Sequence, residues 1–362
     1  MPRKIKINKK NIEAAVLGGA ILGGGGGGWI EEGRELGSLA VEKGFSEILP
    51  IQAVPEDAIL LTVSAVGAPS AGKSIVQPDD YVRAVELFVE KSRLKIDGLI
   101  SSEIGGMAIA NGWFQSAALK IPVIDAPCNG RAHPLGVMGS MGLHLAEDFV
   151  SLQTAVGGSL EKGNRVEAFF KAPLAEAARL VRDAAVKVGG GVAVARNPVA
   201  ASYVRENGAP GAVAMALRIG KTLLANKNLG ARKAVEEILK GLDGNFLAMG
   251  RVERLELKTV SGLDIGEILI KEGQRAYTLT FWNEYVTLEA EGRRIATFPD
   301  IIMTFDLETS MPLISAQIKD GDEIYVMTVP AEKLLLGAGV RDVEILRQVE
   351  KATGKEILRF RR

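Results

Sequence analysis

The sequence predicts an α/β protein: an N-terminal three-layer α/β domain with a mostly parallel sheet, followed by a β-rich domain that forms a barrel or a sandwich. Two observations predict this fold class. Strand-like runs alternate with helix-like runs over residues 1–241, which is typical of βαβ units. Short runs rich in β-branched residues then follow one another without helices over 242–345. We assign residues 346–362 to a closing helix and tail.

The elements of the first domain follow from periodicity and from turn residues. In residues 79–94, apolar Val82, Val85 and Val89 recur at helical spacing. The other predicted helices are 11–22, 174–188, 212–224 and 232–242, and the predicted strands are 46–51, 58–66, 98–104, 121–126 and 191–195. In the second domain the predicted strands are 251–260, 265–270, 276–282, 285–290, 294–298, 301–307, 312–318 and 323–329, and a helix is predicted over 338–354.

Composition narrows the class of protein. Lys plus Arg and Asp plus Glu number 44 each among 362 residues, so the charge balance gives no reason to expect nucleic acid or a membrane surface as a partner. A single cysteine, Cys128, excludes an intramolecular disulfide and a zinc site built from cysteines. We expect a cytoplasmic homo-oligomer that acts on a small molecule.

The N-terminal stretch 1–29 combines a basic start with an apolar run, as a signal peptide does. The apolar run "AAVLGGAIL" is short and leads into six glycines, with no cleavage-site pattern. We therefore predict an amphipathic helix that ends in a loop.

The segment "GAPSAGKS", residues 67–74, fits the phosphate-binding-loop pattern. In such loops the helix begins at the Gly-Lys-Ser end, so that its N-terminus holds the phosphates. Here Pro78 predicts a later helix start, because proline fits the first helical position and breaks an established helix. No nucleotide is therefore expected, although nucleotide binding through 67–74 remains the alternative.

The tract "GGGGGG", residues 23–28, exposes several backbone N–H groups without side chains. Such a loop favours an anion-binding nest, with Gly25, Gly26 and Gly27 as candidate substrate-binding residues. The alternative is a flexible connector.

Polar side chains follow two neighbouring predicted strands, where open α/β sheets bind ligands. The candidates at this edge are Ser102, Glu103, Asp125, Asn129, Arg131 and His133. Each also has a structural alternative, such as a helix cap or an internal ion pair. For Cys128 and His144 we favour the structural alternative.

Six segments in order resemble the S-methyl-thiohydantoin desulfurase domain family. They are the opening helix with its glycine tract, "SAVGAPSAGKS", "SSEIGGMAIANG", "PVIDAPCNGRAHP", "LTFWNEYV" and "ATFPDII". The resemblance implies an α/β domain followed by a β-rich domain, with the family's own division near residue 170. It also implies hydrolysis of a small cyclic amide, a thioamide or an S-methylated thiohydantoin. Members are often encoded near hydantoinase or oxoprolinase subunits, so such a subunit is a candidate partner.

The chain departs from the family pattern in one loop. Pro127, Cys128 and Asn129 stand where a second Asp and a Gly-Met pair are common, His133 replaces a frequent aromatic residue, and Leu135 replaces a Glu. These differences argue against a carboxylate pair within this loop and favour a different substrate.

The hypothesis for the site divides the chemistry among these residues. Glu103 is expected to act as the general base, His133 as the acid, and Asp125 to orient His133 or Arg131. Arg131 is expected to bind a substrate carboxylate or ring oxygen. The remaining candidates for substrate binding are Asn129, Ser102, Gly25, Gly26, Gly27, Gly67, Asn283 and Glu284, the last two from the β-rich domain.

Three alternatives stay open at this point. A divalent metal bound by Asp125 and His133, with Glu103 and His144, would activate water directly. The chain could also be a non-catalytic accessory subunit of a hydantoinase- or oxoprolinase-like complex. Nucleotide binding through 67–74 is the third.

Overall fold

The computed structural model describes residues 3–67 and 76–360. Its first part contains one mixed sheet in the order β1-β2-β5-β4-β3-β8-β6-β7. The strands are β1 (Ile5–Lys6), β2 (Glu47–Pro50), β3 (Ile59–Gly67), β4 (Gly98–Ser101), β5 (Val123–Asp125), β6 (Val150–Gly157), β7 (Val166–Pro173) and β8 (Gly191–Ala200). The helices are α1 (Lys9–Gly23), α2 (Ile30–Glu42), α3 (Pro78–Ser92), α4 (Trp113–Leu119), α5 (Leu174–Val188), α6 (Ala201–Asn207), α7 (Ala212–Asn226) and α8 (Ala231–Leu242).

The expectation of a mostly parallel sheet is corrected. The pairings β2/β5, β5/β4 and β4/β3 are parallel, whereas β1/β2, β3/β8, β8/β6 and β6/β7 are antiparallel. The sequence prediction missed β6 and β7, which follow one another as a hairpin without an intervening helix. Two strands joined by a hairpin run antiparallel. β8 then pairs antiparallel with β6 on one side and with β3 on the other.

Helices cover both faces of this sheet, as a three-layer arrangement requires. Along β8, Ala193 and Ala195 point into the core that contains α1 and α3, whereas Val192 and Val194 pack with α5. This alternation follows from the two-residue period of a strand. Both faces are apolar because both are buried.

Two helix ends position the site. α3 begins at Pro78, as predicted, with the Asp80 side chain accepting the Gln77 N–H. α1 packs closely on α7 because glycines stand at the contact: a Cβ on Gly18 would lie 1.7 Å from the Ala216 carbonyl oxygen. This contact brings the end of α1, and thus the glycine tract, to the sheet edge where β3 and β4 end.

The second part is a single antiparallel sheet in the order β13-β12-β11-β10-β9-β16-β14-β15. Its strands are β9 (Asn245–Val260), β10 (Leu263–Glu272), β11 (Arg275–Trp282), β12 (Glu284–Ala290), β13 (Arg293–Thr297), β14 (Ile301–Asp306), β15 (Pro312–Leu313) and β16 (Glu323–Val329). α9 (Val343–Thr353) packs against β11 near the chain end. The predicted last part of 312–318 is corrected, since Ser315–Gln317 forms a 3-10 turn after a short β15.

Among residues 3–67 and 76–360, no helix is both long enough and apolar enough to cross a membrane.

Candidate active site

A cavity of about 120 Å³ lies where the two parts of the chain meet. Its walls come from the ends of β3 and β4, the glycine tract, the loop after β5, α5, β8 and the start of β12. A cavity of comparable size, about 150 Å³, binds a single benzene ring in another protein. The space therefore fits a ligand built on one small ring.

Glu103 enters this cavity directly after β4. Its Oε2 atom accepts a hydrogen bond from the His133 backbone N–H at 3.1 Å. Burial raises the pKa of Glu103 to about 7, although that hydrogen bond and the charges of Arg196 and Arg182 oppose the rise. The carboxyl group is thus poised to gain or lose a proton near neutral pH.

Glu284 enters the same cavity from the second part of the chain. The preceding Asn283 adopts φ 56°, a left-handed conformation in which its Oδ1 atom accepts the Asp264 N–H at 2.8 Å. This turn directs Glu284 inward, and the residue is only 3% exposed. Burial, and then the charge of Glu103, raises the pKa of Glu284 well above its usual value.

The two glutamates form a carboxyl pair across the two parts of the chain. When one member is ionised, its charge disfavours ionisation of the other, as in other paired carboxyl sites. Burial is the main cause that raises the pKa of both members, and the charge of Glu103 adds to the rise for Glu284. The structure therefore brings Glu103, Asn283 and Glu284 together as expected, and adds the charge coupling that the sequence did not reveal.

His133 lies beside Glu103, but its protonation state differs from the expectation of a general acid. The distance from His133 Nε2 to Glu103 Oε2 is 3.4 Å. Burial, reinforced by the positive charge of Arg196, lowers the pKa of His133 to about 3. A neutral imidazole is a very weak acid, and the hydrogen bond that His133 makes to Glu103 comes from its backbone N–H.

Arg131 is placed behind the cavity and not in its wall. Its Nη1 atom donates to the Pro299 carbonyl at 2.9 Å and to the Asp300 carbonyl, and the guanidinium stacks on Phe298. These bonds join the loop after β5 to the second part of the chain. The expected bidentate grip on substrate is corrected, because Nε and Nη1 bind backbone carbonyls and Arg131 is not among the residues that line the cavity.

Two other arginines line the cavity instead. Arg196 is 3% exposed, and its Nη2 atom donates to Ser102 Oγ at 2.8 Å. Arg182, on α5, donates to the carbonyls of Gly67 and Gly262, each at 3.1 Å. Within the part of the chain that the structure describes, neither guanidinium has a carboxylate within ion-pair distance.

A β-bulge aims Arg196 into the cavity. Between the pairs Leu60↔Val199 and Thr62↔Arg196, the β8 strand carries one extra residue, and Asn197 there adopts φ 51°. The "RNP" sequence inside an apolar strand was the available signal, since proline in a strand marks a bulge. No comparable signal marked Arg182 on its amphipathic helix.

Asp125 and Asn129 serve the framework. Asp125 Oδ1 accepts the Val213 N–H at 2.8 Å and Oδ2 accepts the Ala214 N–H at 3.3 Å, so Asp125 holds the first turn of α7. Asn129 donates to the Arg131 carbonyl and accepts the Gly337 N–H. The expected role of Asp125 in orienting His133 or Arg131 is therefore corrected: a helix N-terminus is its partner.

The glycine tract lies between the two parts of the chain and packs closely against the second part. A Cβ on Gly26 would lie 2.1 Å from Glu284 Oε1, and one on Gly25 would lie 2.6 Å from the Tyr285 ring. The carbonyls of Gly24 and Gly25 accept hydrogen bonds from the N–H groups of Tyr285 and Ser315, each at 2.8 Å.

Gly27 lines the cavity directly, whereas Gly25 and Gly26 pack against the residues that close it. Gly67 also lines it, but residues 68–75, including Lys73 and Ser74, lie outside the described residues.

The four ligands considered for a metal are not brought together. His144 lies elsewhere, with Nδ1 3.0 Å from Ser140 Oγ and Nε2 3.6 Å from Asp342. Across the two described ranges, no group of three or more His, Cys, Asp and Glu side chains has a metal-binding arrangement.

Cys128 is buried, and its Sγ atom lies 3.2 Å from Thr62 Oγ1. Burial raises the pKa of its thiol to about 11.

Several buried polar atoms of the cavity lack a hydrogen-bond partner among the described residues. They are Ser64 Oγ, Asn111 Oδ1, Arg196 Nε and Glu284 Oε2. Buried polar atoms are rarely left unpaired in native proteins. Their concentration in one cavity indicates a binding site for a polar ligand.

These features define a class: an α/β domain joined to an antiparallel β domain, with a carboxyl pair in the cavity between them. The chain belongs to the S-Me-THD-like family. Residues 10–161 match the N-terminal domain of that family and residues 173–339 match its C-terminal domain.

The fold is also similar to a solved structure. A protein from Chromobacterium violaceum, determined by X-ray crystallography, has 19% identical residues and a TM-score of 0.72. The match covers 97% of this chain and 96% of that one, so the two share a fold over their whole length. None of the curated proteins matches the chain.

Proposed function

We propose that the protein hydrolyses a small cyclic amide or thioamide of the hydantoin or S-methyl thiohydantoin type, by general acid and base attack of water. The observation that carries the proposal is the Glu103–Glu284 pair in a cavity of single-ring size. Membership of the S-Me-THD-like family connects the chain with thiohydantoin-related function.

In this proposal Glu103 is the base and Glu284 is the acid. Ionised Glu103 removes a proton from water as the water oxygen bonds to the ring carbon that carries sulfur. Protonated Glu284 donates a proton to the sulfur as the carbon–sulfur bond breaks and methanethiol leaves. The proton on Glu103 passes to the ring nitrogen, and the proton of the new hydroxyl group restores Glu284. The sum is one water consumed, with one thiol and one hydantoin formed.

The neighbouring groups support the charge that develops in this step. Attack on the ring carbon places negative charge on the ring nitrogen or oxygen atoms. Arg196 and Arg182 supply positive charge at the cavity wall, and the unpaired Asn111 and Ser64 atoms offer hydrogen bonds to ring polar groups. Fixed charges in a site with little water are worth more than in bulk solvent. The arginines also favour a ring that carries a carboxylate.

A substrate panel tests the proposal. Purified protein is incubated with hydantoin, 5-oxoproline, thiohydantoin and S-methyl thiohydantoin, with and without ring carboxylate substituents, and products are separated by chromatography. We expect turnover of the S-methyl ring, with thiol and hydantoin formed in equal amounts, both with and without a metal chelator. A complete lack of turnover across the panel, with an active control hydrolase, would contradict the proposal.

A further inference from the structure

The first sheet ends in a strand whose outer edge has no partner strand. β7 spans eight residues and, within the described ranges, pairs with β6 alone. Its residues are all half-buried or exposed. An uncovered edge of this length presents backbone N–H and C=O groups that pair readily with another strand.

The charges along β7 are arranged asymmetrically. Near one end, Glu167 belongs to an ion-pair network in which four carboxylates face two arginines, so the network has a net charge of −2. Its members are Arg83, Arg165, Asp80, Glu86, Glu90 and Glu167. Four residues further along, Lys171 is exposed and makes no ion pair with any described residue. The edge is thus negative at one end and positive at the other.

We propose that β7 pairs antiparallel with β7 of a second copy of this chain, about a two-fold axis at Phe169. In this register Glu167 lies opposite Lys171 of the second copy, and the symmetry repeats the pair. Shifting the axis to Ala168 would place Lys171 opposite Arg165, which repels it. Shifting it to Phe170 would place Glu167 opposite Pro173. Only the register at Phe169 matches unlike charges at both ends.

The helix layer is compatible with this pairing. α5 lies over β6 on one face of the sheet and also contacts β7 and β8, so it is set back from the β7 edge. Since neighbouring strands are about 4.8 Å apart, two copies of α5 would be separated by about 14 Å, three strand spacings, and would not collide.

Sedimentation velocity over a range of protein concentrations tests the association. We expect a dimer in the wild type, and a dissociation constant raised at least about tenfold by Lys171→Glu, because both symmetric pairs become repulsive. The matched control is Lys351→Glu, the same charge change on α9, which should leave the dimer unchanged. A monomer at all concentrations would overturn the proposal, as would a dimer equally stable with Lys171→Glu.

Cysteine cross-linking tests the register. In the proposed pairing Phe169 lies opposite its own copy, within the Cα distance that a disulfide spans. Oxidised Phe169→Cys protein should therefore migrate as a covalent dimer, whereas Ala172→Cys, opposite Val166, should remain monomeric on a denaturing gel. The buried Cys128 does not compete. Equal cross-linking of the two variants, or none with Phe169→Cys, would contradict the axis at Phe169.

Discussion

Glu103→Gln is expected to lower kcat for ring hydrolysis by about 10³-fold while leaving the fold intact. The amide keeps the shape of the side chain and still accepts the His133 N–H, but it cannot remove a proton from water. Steady-state kinetics with the best substrate of the panel measure the loss, and circular dichroism with thermal unfolding checks the fold.

The matched control is Glu161→Gln, the same substitution on an exposed turn that does not line the cavity. It should leave both kcat and KM at wild-type values. If Glu103→Gln retained more than a tenth of the wild-type kcat, Glu103 would not be the base, and the division of roles between the two glutamates would have to be abandoned.

Gly26→Ala is expected to lower kcat by about 10²-fold through Glu284. The new methyl group would lie 2.1 Å from Glu284 Oε1 and 2.6 Å from Cδ, so the carboxyl group must move aside. Displacing a catalytic group by about 1 Å costs about this factor in rate. The effect should appear in kcat more than in KM, because the proposed role of Glu284 is to protonate the leaving group and not to bind the ring.

Gly241→Ala is the control for this substitution. No atom lies within 4 Å of the Cβ it would add, and the residue is not in the left-handed region. Its kinetics should match the wild type. A Gly26→Ala enzyme with normal kcat would show that the close contact between the glycine tract and Glu284 has no part in catalysis.

Local features of the fold were readable from the sequence. The start of α3 at Pro78 depends on proline geometry and on nearby acidic residues, all within a few positions of the chain. The placement of Ser102 and Glu103 at a cavity followed from a general rule about strand ends. The β6–β7 hairpin was missed because strand–helix alternation elsewhere favoured a parallel sheet.

The partners of the polar side chains lie far away along the chain, so the roles of these side chains could not be predicted from the sequence. Asp125 binds the start of α7, 88 positions later in the chain, and Arg131 binds Pro299, 168 positions later. Nothing local to either residue indicates these partners. The same holds for protonation: the neutral state of His133 results from burial beside Arg196, which is set by the packed structure.

The pH dependence of kcat/KM for the S-methyl ring tests the central claim, a base and an acid formed by Glu103 and Glu284. Activity should rise as the pH increases through about 7, where Glu103 loses its proton. It should fall again at higher pH, where Glu284 ionises, and Glu284→Gln should remove this falling limb along with most of the rate. A profile that lacks the rising limb near 7, or a falling limb that persists in Glu284→Gln, would contradict the account.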